Sequence, residues 1–373
     1  MNHNSYIKLI SGQTKGFWAG LVYIIFIGIS KIYSAIIRLR NILYDKHIFK
    51  IHRTKAVVIS IGNITAGGTG KTPLVAWLCN QIQTNLRHKT KDQRLNEYNL
   101  AILTRGYKTT QNSKLKTQNY VDEPALLAEN CPDVNVVINP KRVIGASEAI
   151  GKYNSNVLIM DDGFQHRRLA RNLDIIAIDA TCPFGYGKII PAGLLREPLS
   201  SLQRADATVI TRCDQVPEEI LEEIENNLRN IKPEFPIARS IHKAVSINTI
   251  DKRQISLDEY KNRKVFAFCG IGNPDSFIKT LKNMDYDVVG SKIFDDHYNY
   301  TDNCLADLTK QSQSSGAEIM LTTQKDFTKI RLLASAQSLP LAYLAIEIKF
   351  LSGQDKLRSL IEGTLAGKIS KID

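Results

Sequence analysis

None of the six cysteines stands in a C-x-x-C pair. That excludes a zinc ribbon or a dithiol redox site and fits a reducing compartment, where lone thiols are ordinarily buried. The longest uncharged apolar run, Phe17–Ser30, falls short of the ~20 residues that a membrane-crossing helix needs. No convincing small-residue cleavage site follows it, so it does not read as a secretory leader. Acidic residues are almost missing from the first 55 positions, where Asp45 stands alone. There is no internal repeat, no aromatic-rich RNA platform and no recognition-helix motif, so nucleic acid is not inferred as a partner. Nothing in the sequence calls for an obligate protein partner.

The composition is otherwise globular: of 373 residues, 43% are hydrophobic and 23% charged. Disordered, collagen-like and multi-span membrane classes are thereby excluded. At roughly 150 residues per domain, the length suggests two domains. The net charge of +12 points to an anionic partner without choosing one. Its distribution is more telling. Residues 1–55 carry nine basic side chains against one acid, a net +8, which is two-thirds of the excess. Trp18, Tyr23 and Tyr33 flank the apolar run, as interfacial aromatics do. The segment therefore reads as a helix lying in, or dipping into, a membrane face, with basic residues against anionic lipid. A buried core helix and a true span are the alternatives. Either membrane reading leaves the rest of the chain in the cytoplasm.

Past this arm, strand-length apolar runs recur at Ala56–Ile61, Leu100–Leu103, Val134–Ile138, Val157–Met160, Leu173–Ile178 and Ala207–Ile210. Helical stretches lie between several of them, at Thr72–Leu86 and Lys141–Ile150. Near-continuous apolar strands alternating with helices predict a parallel sheet covered on both faces. Val216–Asn230 is an amphipathic acidic helix, after which Pro233 and Pro236 break the pattern. A second α/β block follows, with strands at Lys264–Cys269, Asp287–Ile293, Glu318–Thr322 and Ala342–Phe350. Its helices are Asp275–Asn283, Asn303–Gln313 and Gln354–Leu365. The expected division is a membrane-associated arm at 1–40, a core at 41–235 and a C-terminal lobe at 236–373, joined by a linker near 232–262. Polar Arg87–Glu97 is an expected loop.

The sharpest local signal is Thr65-Ala66-Gly67-Gly68-Thr69-Gly70-Lys71-Thr72, between a strand and a helix. It follows the P-loop pattern G-x-x-x-x-G-K-[ST], with Thr65 in place of the first glycine. Small residues let backbone N–H groups close around phosphate oxygens, Lys71 would reach the β- and γ-phosphates, and the Thr72 hydroxyl would hold Mg²⁺. A strand-terminal carboxylate should complete such a site, and Val157-Leu-Ile-Met-Asp161-Asp162 supplies two, either of which could hold the metal. The fold class expected is thus α/β, with a P-loop NTPase core, a smaller C-terminal α/β lobe and an N-terminal membrane-associated helix.

Further strings surround this core. They are Ser60-Ile-Gly-Asn-Ile-Thr65, Leu103-Thr-Arg-Gly-Tyr107, Asp122-Glu-Pro-Ala-Leu-Leu-Ala128, Asp161-Asp-Gly-Phe-Gln-His-Arg167, Pro191-Ala-Gly-Leu-Leu-Arg-Glu-Pro198, Gly270-Ile-Gly-Asn-Pro274 and Thr323-Gln-Lys-Asp326. Together, and in this order over most of the chain, they resemble the tetraacyldisaccharide 4'-kinase (lipid A 4'-kinase) family. The resemblance implies ATP-dependent phosphorylation of the 4'-hydroxyl of an acylated glucosamine disaccharide 1-phosphate, by a peripheral protein on the cytoplasmic face of the bacterial inner membrane. It implies a P-loop core and a smaller lobe, with the site in the cleft between them.

By the same resemblance Asp122 is the catalytic base, His297 its partner, and Arg105, Tyr107, Glu123, His166, Arg196 and Glu197 contact the acceptor sugar. A carboxylate with an unperturbed pKa near ~4 is a poor base at neutral pH, so a partner or a desolvated site is needed. Asp122 also reads as a helix N-cap ahead of Pro124, and cap and base are compatible roles. The chain departs from the family pattern at Val121, where glycine is usual, and at Asp295 and Tyr298, where proline and a second histidine are usual. His297 is the histidine that remains there.

Two other classes compete. A P-loop GTPase would read guanine through a pattern that Thr211-Arg-Cys-Asp214 approaches, with Arg212 where lysine is expected. A non-enzymatic membrane or nucleic-acid binder would explain the arm but leave the phosphate loop and the carboxylate pair unused; another membrane-associated nucleotide-binding protein is the remaining alternative.

Overall fold

The computed structural model describes residues 3–85, 98–106 and 123–369. Asp122, Tyr107 and the expected loop at 87–97 lie outside the described residues. In chain order the elements are α1 (His3–Ile10), α2 (Phe17–Asp45), β1 (Val57–Gly62), α3 (Lys71–Asn80, continued by a π-turn at Gln81–Asn85), β2 (Leu100–Thr104), α4 (Glu123–Asn130), β3 (Asn135–Ile138), α5 (Arg142–Tyr153), β4 (Val157–Asp161), β5 (Leu173–Asp179), β6 (Ala207–Thr211) and α6 (Glu218–Ile231). They continue as β7 (Ile237–Thr249), β8 (Gln254–Ile255), β9 (Lys264–Cys269), α7 (Pro274–Asn283), β10 (Asp287–Ile293), α8 (Asp302–Ser314), β11 (Ile319–Thr323), α9 (Gln324–Ile330), β12 (Leu341–Ser352) and α10 (Gln354–Ile369).

The chain forms two compact units, neither of them continuous. The first comprises Met1–Arg105, Asp133–Ile241 and Phe350–Asp373; the second comprises Gly106–Pro132 and His242–Lys349. A linear division into 41–235 and 236–373 misses two exchanges. Helix α4 joins the second unit because it packs on α9, and α10 returns to the first because Leu357, Ile361 and Leu365 are buried there, with β1 a neighbour.

In the first unit the strands run β7-β6-β5-β1-β4-β2-β3, every pairing parallel. Strands β1, β2, β4, β5 and β6 are buried along their whole length, which is why their sequences are apolar throughout rather than alternating. The strand order reverses beside β1, so the loops after β1 and β4 leave the same edge of the sheet, where α/β folds bind ligands. The second unit orders β10-β9-β11-β12 in parallel, with Phe277 and Leu281 of α7 packed on one hydrophobic cluster and Leu305 and Leu308 of α8 on another.

Helix α2 spans 29 residues, far beyond the uncharged run, because Lys31, Arg38 and Arg40 are carried along it. It is not a core helix. Only 11% of its most apolar window is buried. Ser30, Ile37, Asn41 and Tyr44 form its buried stripe, while Phe17, Trp18, Ile24, Ile25, Ile32 and Ile36 are exposed.

Candidate active site

Strand β1 ends at Gly62 and α3 starts at Lys71, so Thr65–Thr72 crosses the sheet edge as an eight-residue loop into a helix N-terminus. Gly67 and Gly70 take positive φ values of 114° and 80°, conformations that a side chain would oppose. The loop is held from three sides. Asn63 donates through Nδ2 to the Thr65 carbonyl at 2.8 Å. The Thr211 hydroxyl at the end of β6 donates to the Thr69 carbonyl at 3.0 Å. Ala66 N–H donates to the Leu194 carbonyl at 2.7 Å, and Arg196 N–H to the Ile64 carbonyl at 2.8 Å. The Pro191–Pro198 string is therefore the floor of the phosphate loop.

Across the loop stands the Asp161–Arg167 turn. Asp162 has φ 52°, which turns the chain out of β4. Gly163 is required there: an added Cβ would lie 2.5 Å from the Ser60 hydroxyl and 2.7 Å from the Met160 side chain. Both carboxylate oxygens of Asp162 accept from Arg196 Nη1 at 2.9 Å, and Lys71 Nζ lies 3.3 Å from Oδ1. Burial alone would raise the Asp162 pKa, but the two cations outweigh it and hold the carboxyl well below the usual range. Asp161 is buried and meets the Thr104 hydroxyl at 3.5 Å. Arg142, at the start of α5, donates to the Asp161 carbonyl at 3.2 Å; burial draws its guanidinium down to about 10, against the pull of the Asp161 and Asp162 charges.

His166 sits among cations. Burial, then the charges of Arg142, Arg171, Arg40 and Arg105, push its pKa down to about 4, so the ring is neutral at pH 7. Arg105 is exposed at the end of β2. Glu197 is placed otherwise than an acceptor contact requires: it is fully buried, with its carboxylate held by Asn41 at 3.0 Å and Arg204 at 2.9 Å. A group with no exposed surface anchors the loop; it does not face a sugar. Arg212, in the string that approaches a guanine-reading motif, is buried against Asp179, and Thr211 serves the phosphate loop.

The second unit gathers the remaining sequence strings. Thr323 caps α9 by accepting from Asp326 N–H. Gln324 donates to Asn130 Oδ1 at 2.9 Å. Lys325 Nζ lies 3.1 Å from Asp296 Oδ1, 3.3 Å from His297 Nε2 and 3.5 Å from Glu123 Oε1. Asp326 is buried and accepts from Gly270 N–H at 2.9 Å and the Thr323 hydroxyl at 2.7 Å; burial raises its pKa. The structure thus brings Glu123 and His297 to one lysine, and Lys71, Asp162 and Arg196 to one another. The sequence strings contain Arg142's partner and Lys325, but spacing alone gives neither its contacts.

A glycine-hinged phosphate cradle opening a helix, beside two strand-end carboxylates on a parallel sheet, defines a P-loop nucleotide-binding protein of the phosphotransferase kind. The chain belongs to the tetraacyldisaccharide-1-P 4'-kinase family, whose model matches residues 22–366. It is 35% identical over 314 residues to the tetraacyldisaccharide 4'-kinase of Desulfotalea psychrophila, covering 81% of this chain and 86% of that protein. With the enzyme of the same name from Halothermothrix orenii it shares 33% identity over 345 residues, 87% of each. Among solved structures it resembles LpxK of Aquifex aeolicus, an "apo" form crystallised in complex with ATP, with a TM-score of 0.67 and 31% identity over 91% of this chain and 98% of that one.

Proposed function

We propose that this protein transfers the γ-phosphoryl group of ATP to the 4'-hydroxyl of a tetraacylated glucosamine disaccharide 1-phosphate, a step of lipid A biosynthesis. The observation that carries the reading is the convergence of Lys71, Asp162 and Arg196 at the mouth of the Thr65–Thr72 loop. Backbone N–H groups of the loop cradle the triphosphate. Lys71 and Arg196, held ready on Asp162, neutralise charge on the transferring group. The Thr72 hydroxyl and the carboxylates of Asp161 and Asp162 are hard oxygen donors at the sheet edge, a set that suits Mg²⁺. The ion would supply charge neutralisation at the phosphates. Among the described residues no three-ligand His, Cys, Asp or Glu cluster exists, so such an ion would share its coordination with phosphate oxygens, as Mg²⁺ commonly does.

Asp122, directly ahead of α4, accepts the proton of the acceptor hydroxyl, with His297 as its partner. Arg105, Tyr107, Glu123 and His166 contact the acceptor. Glu197, held by Asn41 and Arg204, anchors the chain next to Arg196.

The exposed apolar face of α2 supports membrane attachment. At ~1.5 Å per residue the helix is about 44 Å long, enough to cross a ~30 Å hydrocarbon core. Its second half is committed to the protein, however. The Ser30 hydroxyl donates to the Ile189 carbonyl at 2.7 Å, and Asn41 reaches Glu197. The stretch ahead of Ser30 spans about 20 Å, too short to cross. These contacts support a helix that lies against anionic lipid, holding the protein peripherally on the cytoplasmic face of the inner membrane, rather than one that spans it.

The test is mass spectrometry of tetraacyldisaccharide 1-phosphate incubated with the purified chain and Mg-ATP. The product gains one phosphoryl group, and Lys71→Ala and Asp122→Ala each lower the rate by about 10²-fold or more. Transfer from GTP in preference to ATP, or undiminished transfer by Lys71→Ala, refutes the reading.

A further inference from the structure

We infer that Arg212 is a positioning residue for the phosphate loop: paired with Asp179, it holds the turn after β6 that aims the Thr211 hydroxyl at the loop. The Thr211-Arg-Cys-Asp214 string is then a latch on phosphate binding, not a reader of the base. The inference rests on the proposed binding of a triphosphate by the Thr65–Thr72 loop, and all its residues belong to the first unit. Strands β5 and β6 run parallel, with Asp179 opposite Thr211. Ala180 N–H donates to the Thr211 carbonyl at 3.0 Å, which ties the two strand ends together. Immediately beyond, Arg212 takes φ 57° and ψ 37°. That left-handed conformation costs a non-glycine residue free energy and persists where neighbours over-determine it. The guanidinium supplies the constraint: Arg212 Nη1 donates to Asp179 Oδ2, and each side chain is only 7% exposed. The other oxygen of Asp179 accepts from the Thr181 N–H at 3.0 Å and the Thr181 hydroxyl at 2.7 Å, so the carboxylate is itself fixed. Separating a charge pair with so little water around it is costly, and the turn is held firmly.

What the turn delivers is one hydroxyl. Thr211 Oγ1 lies 3.0 Å from the Thr69 carbonyl and 3.3 Å from the Ile178 carbonyl, and the nearer acceptor belongs to the phosphate loop. In a trans peptide the C=O and the following N–H point in opposite directions. A Thr69 carbonyl held toward β6 therefore turns the Gly70 N–H away from β6, as a donor for a phosphate oxygen. Gly70 has φ 80° and caps α3 directly ahead of Lys71, so the same bond sets the start of that helix. Asn63 holds the Thr65 carbonyl at the other end of the loop, and Thr211 completes the clamp at Thr69. Arg212 is buried, which suits a brace and not a base contact.

The experiment is calorimetric titration of the full-length protein in detergent micelles with Mg-ATP and, separately, with magnesium tripolyphosphate, which has the phosphates and no base. Thr211→Val keeps the side-chain shape and removes the hydroxyl; it weakens both ligands by about tenfold, the size of one hydrogen bond, and Thr211→Ser restores both. Arg212→Met combined with Asp179→Leu removes the ion pair without leaving a lone buried charge, and weakens both ligands to the same extent. Adding Thr211→Val to that pair costs no further affinity, because the turn and the hydroxyl act as one unit. An unchanged tripolyphosphate affinity in folded Thr211→Val overturns the inference, as does full additivity of Thr211→Val with the replaced pair. A wild type that binds ATP and not tripolyphosphate, or a loss confined to ATP, overturns it too, since the base then carries the affinity. A wild type that binds both ligands but transfers no phosphoryl group to a lipid acceptor leaves the latch intact and refutes the proposed function instead.

Discussion

Asp162 shows how one carboxylate can keep a catalytic surface in order. It is the anion shared by Lys71 and Arg196, and without it two cations would face each other at the mouth of the phosphate loop. Removing Arg196 should cost phosphoryl-transfer stabilisation directly and leave Lys71 more tightly bound to Asp162. Arg196→Met is expected to lower kcat by about 10²-fold, near 2.7 kcal/mol, while Arg196→Lys recovers part of it. Steady-state kinetics with ATP decide this; an unaltered kcat in Arg196→Met would remove Arg196 from the phosphate site. His166 gives a pH test. Its folded pKa, about 4, lies below the ordinary ~6.5, so the unfolded chain takes up the proton first as pH falls. Its contribution to stability is complete above pH ~6.5 and is lost as pH drops toward 4. Because the ring is partly exposed, solvent screening keeps the loss to about 1–2 kcal/mol. Urea midpoints at pH 7 and pH 5 should therefore differ less in His166→Gln than in the wild type.

At the scale of elements, the segment from Gly185 to Arg196 links the arm to the phosphate loop. The Tyr6 hydroxyl meets the carbonyls of Pro191 and Gly193 at 3.1 and 3.0 Å, Ser30 binds Ile189, and Leu194 receives Ala66. The two faces of α2 should consequently respond differently to mutation. Ile24→Lys with Ile32→Lys, both on the exposed face, should reduce recovery with anionic vesicles and leave the melting temperature nearly unchanged. Ile37→Ala, on the buried stripe, should cost about 2–4 kcal/mol and lower the melting temperature while vesicle recovery holds. Much of this was legible in the sequence. The strands of the first unit are apolar because both their faces are covered, and the loop motif announces itself between them. Strand β7 was not legible: Pro233 and Pro236 precede it, and its residues alternate between buried and part-exposed. The full length of α2 was hidden because Lys31 and Arg38 interrupt the apolar run and Arg40 spends its charge on the Gln165 carbonyl. The site was legible as strings, not as partnerships. Glu197 lies beside Arg196 in sequence yet is wholly buried, and only packing shows it.

For the whole molecule, the interleaving of two units along one chain has a measurable consequence. The phosphate loop, Asp162 and Arg196 all belong to the first unit, whose core runs through Ile64, Phe164, Ile178 and Leu228. The second unit has cores of its own, around Val265, Leu321 and Leu344 on one face and Phe268, Leu305 and Met320 on the other. Both tryptophans fall in the first unit: Trp77 in α3, its ring 4.7 Å from that of Phe350, and Trp18 on the exposed face of α2. Tryptophan fluorescence therefore reports on the nucleotide-binding unit alone. Mg-ATP at 100 times its Kd should stabilise that unit by about 2.7 kcal/mol and raise its unfolding midpoint in urea. Hydrogen exchange read by mass spectrometry should show the matching protection in peptides of β1, β4 and β5, and little change in β9 and β11. Equal protection of both sets would mean that the units unfold as one cooperative body. No ATP effect on β1 would mean that the loop at its end does not hold the nucleotide.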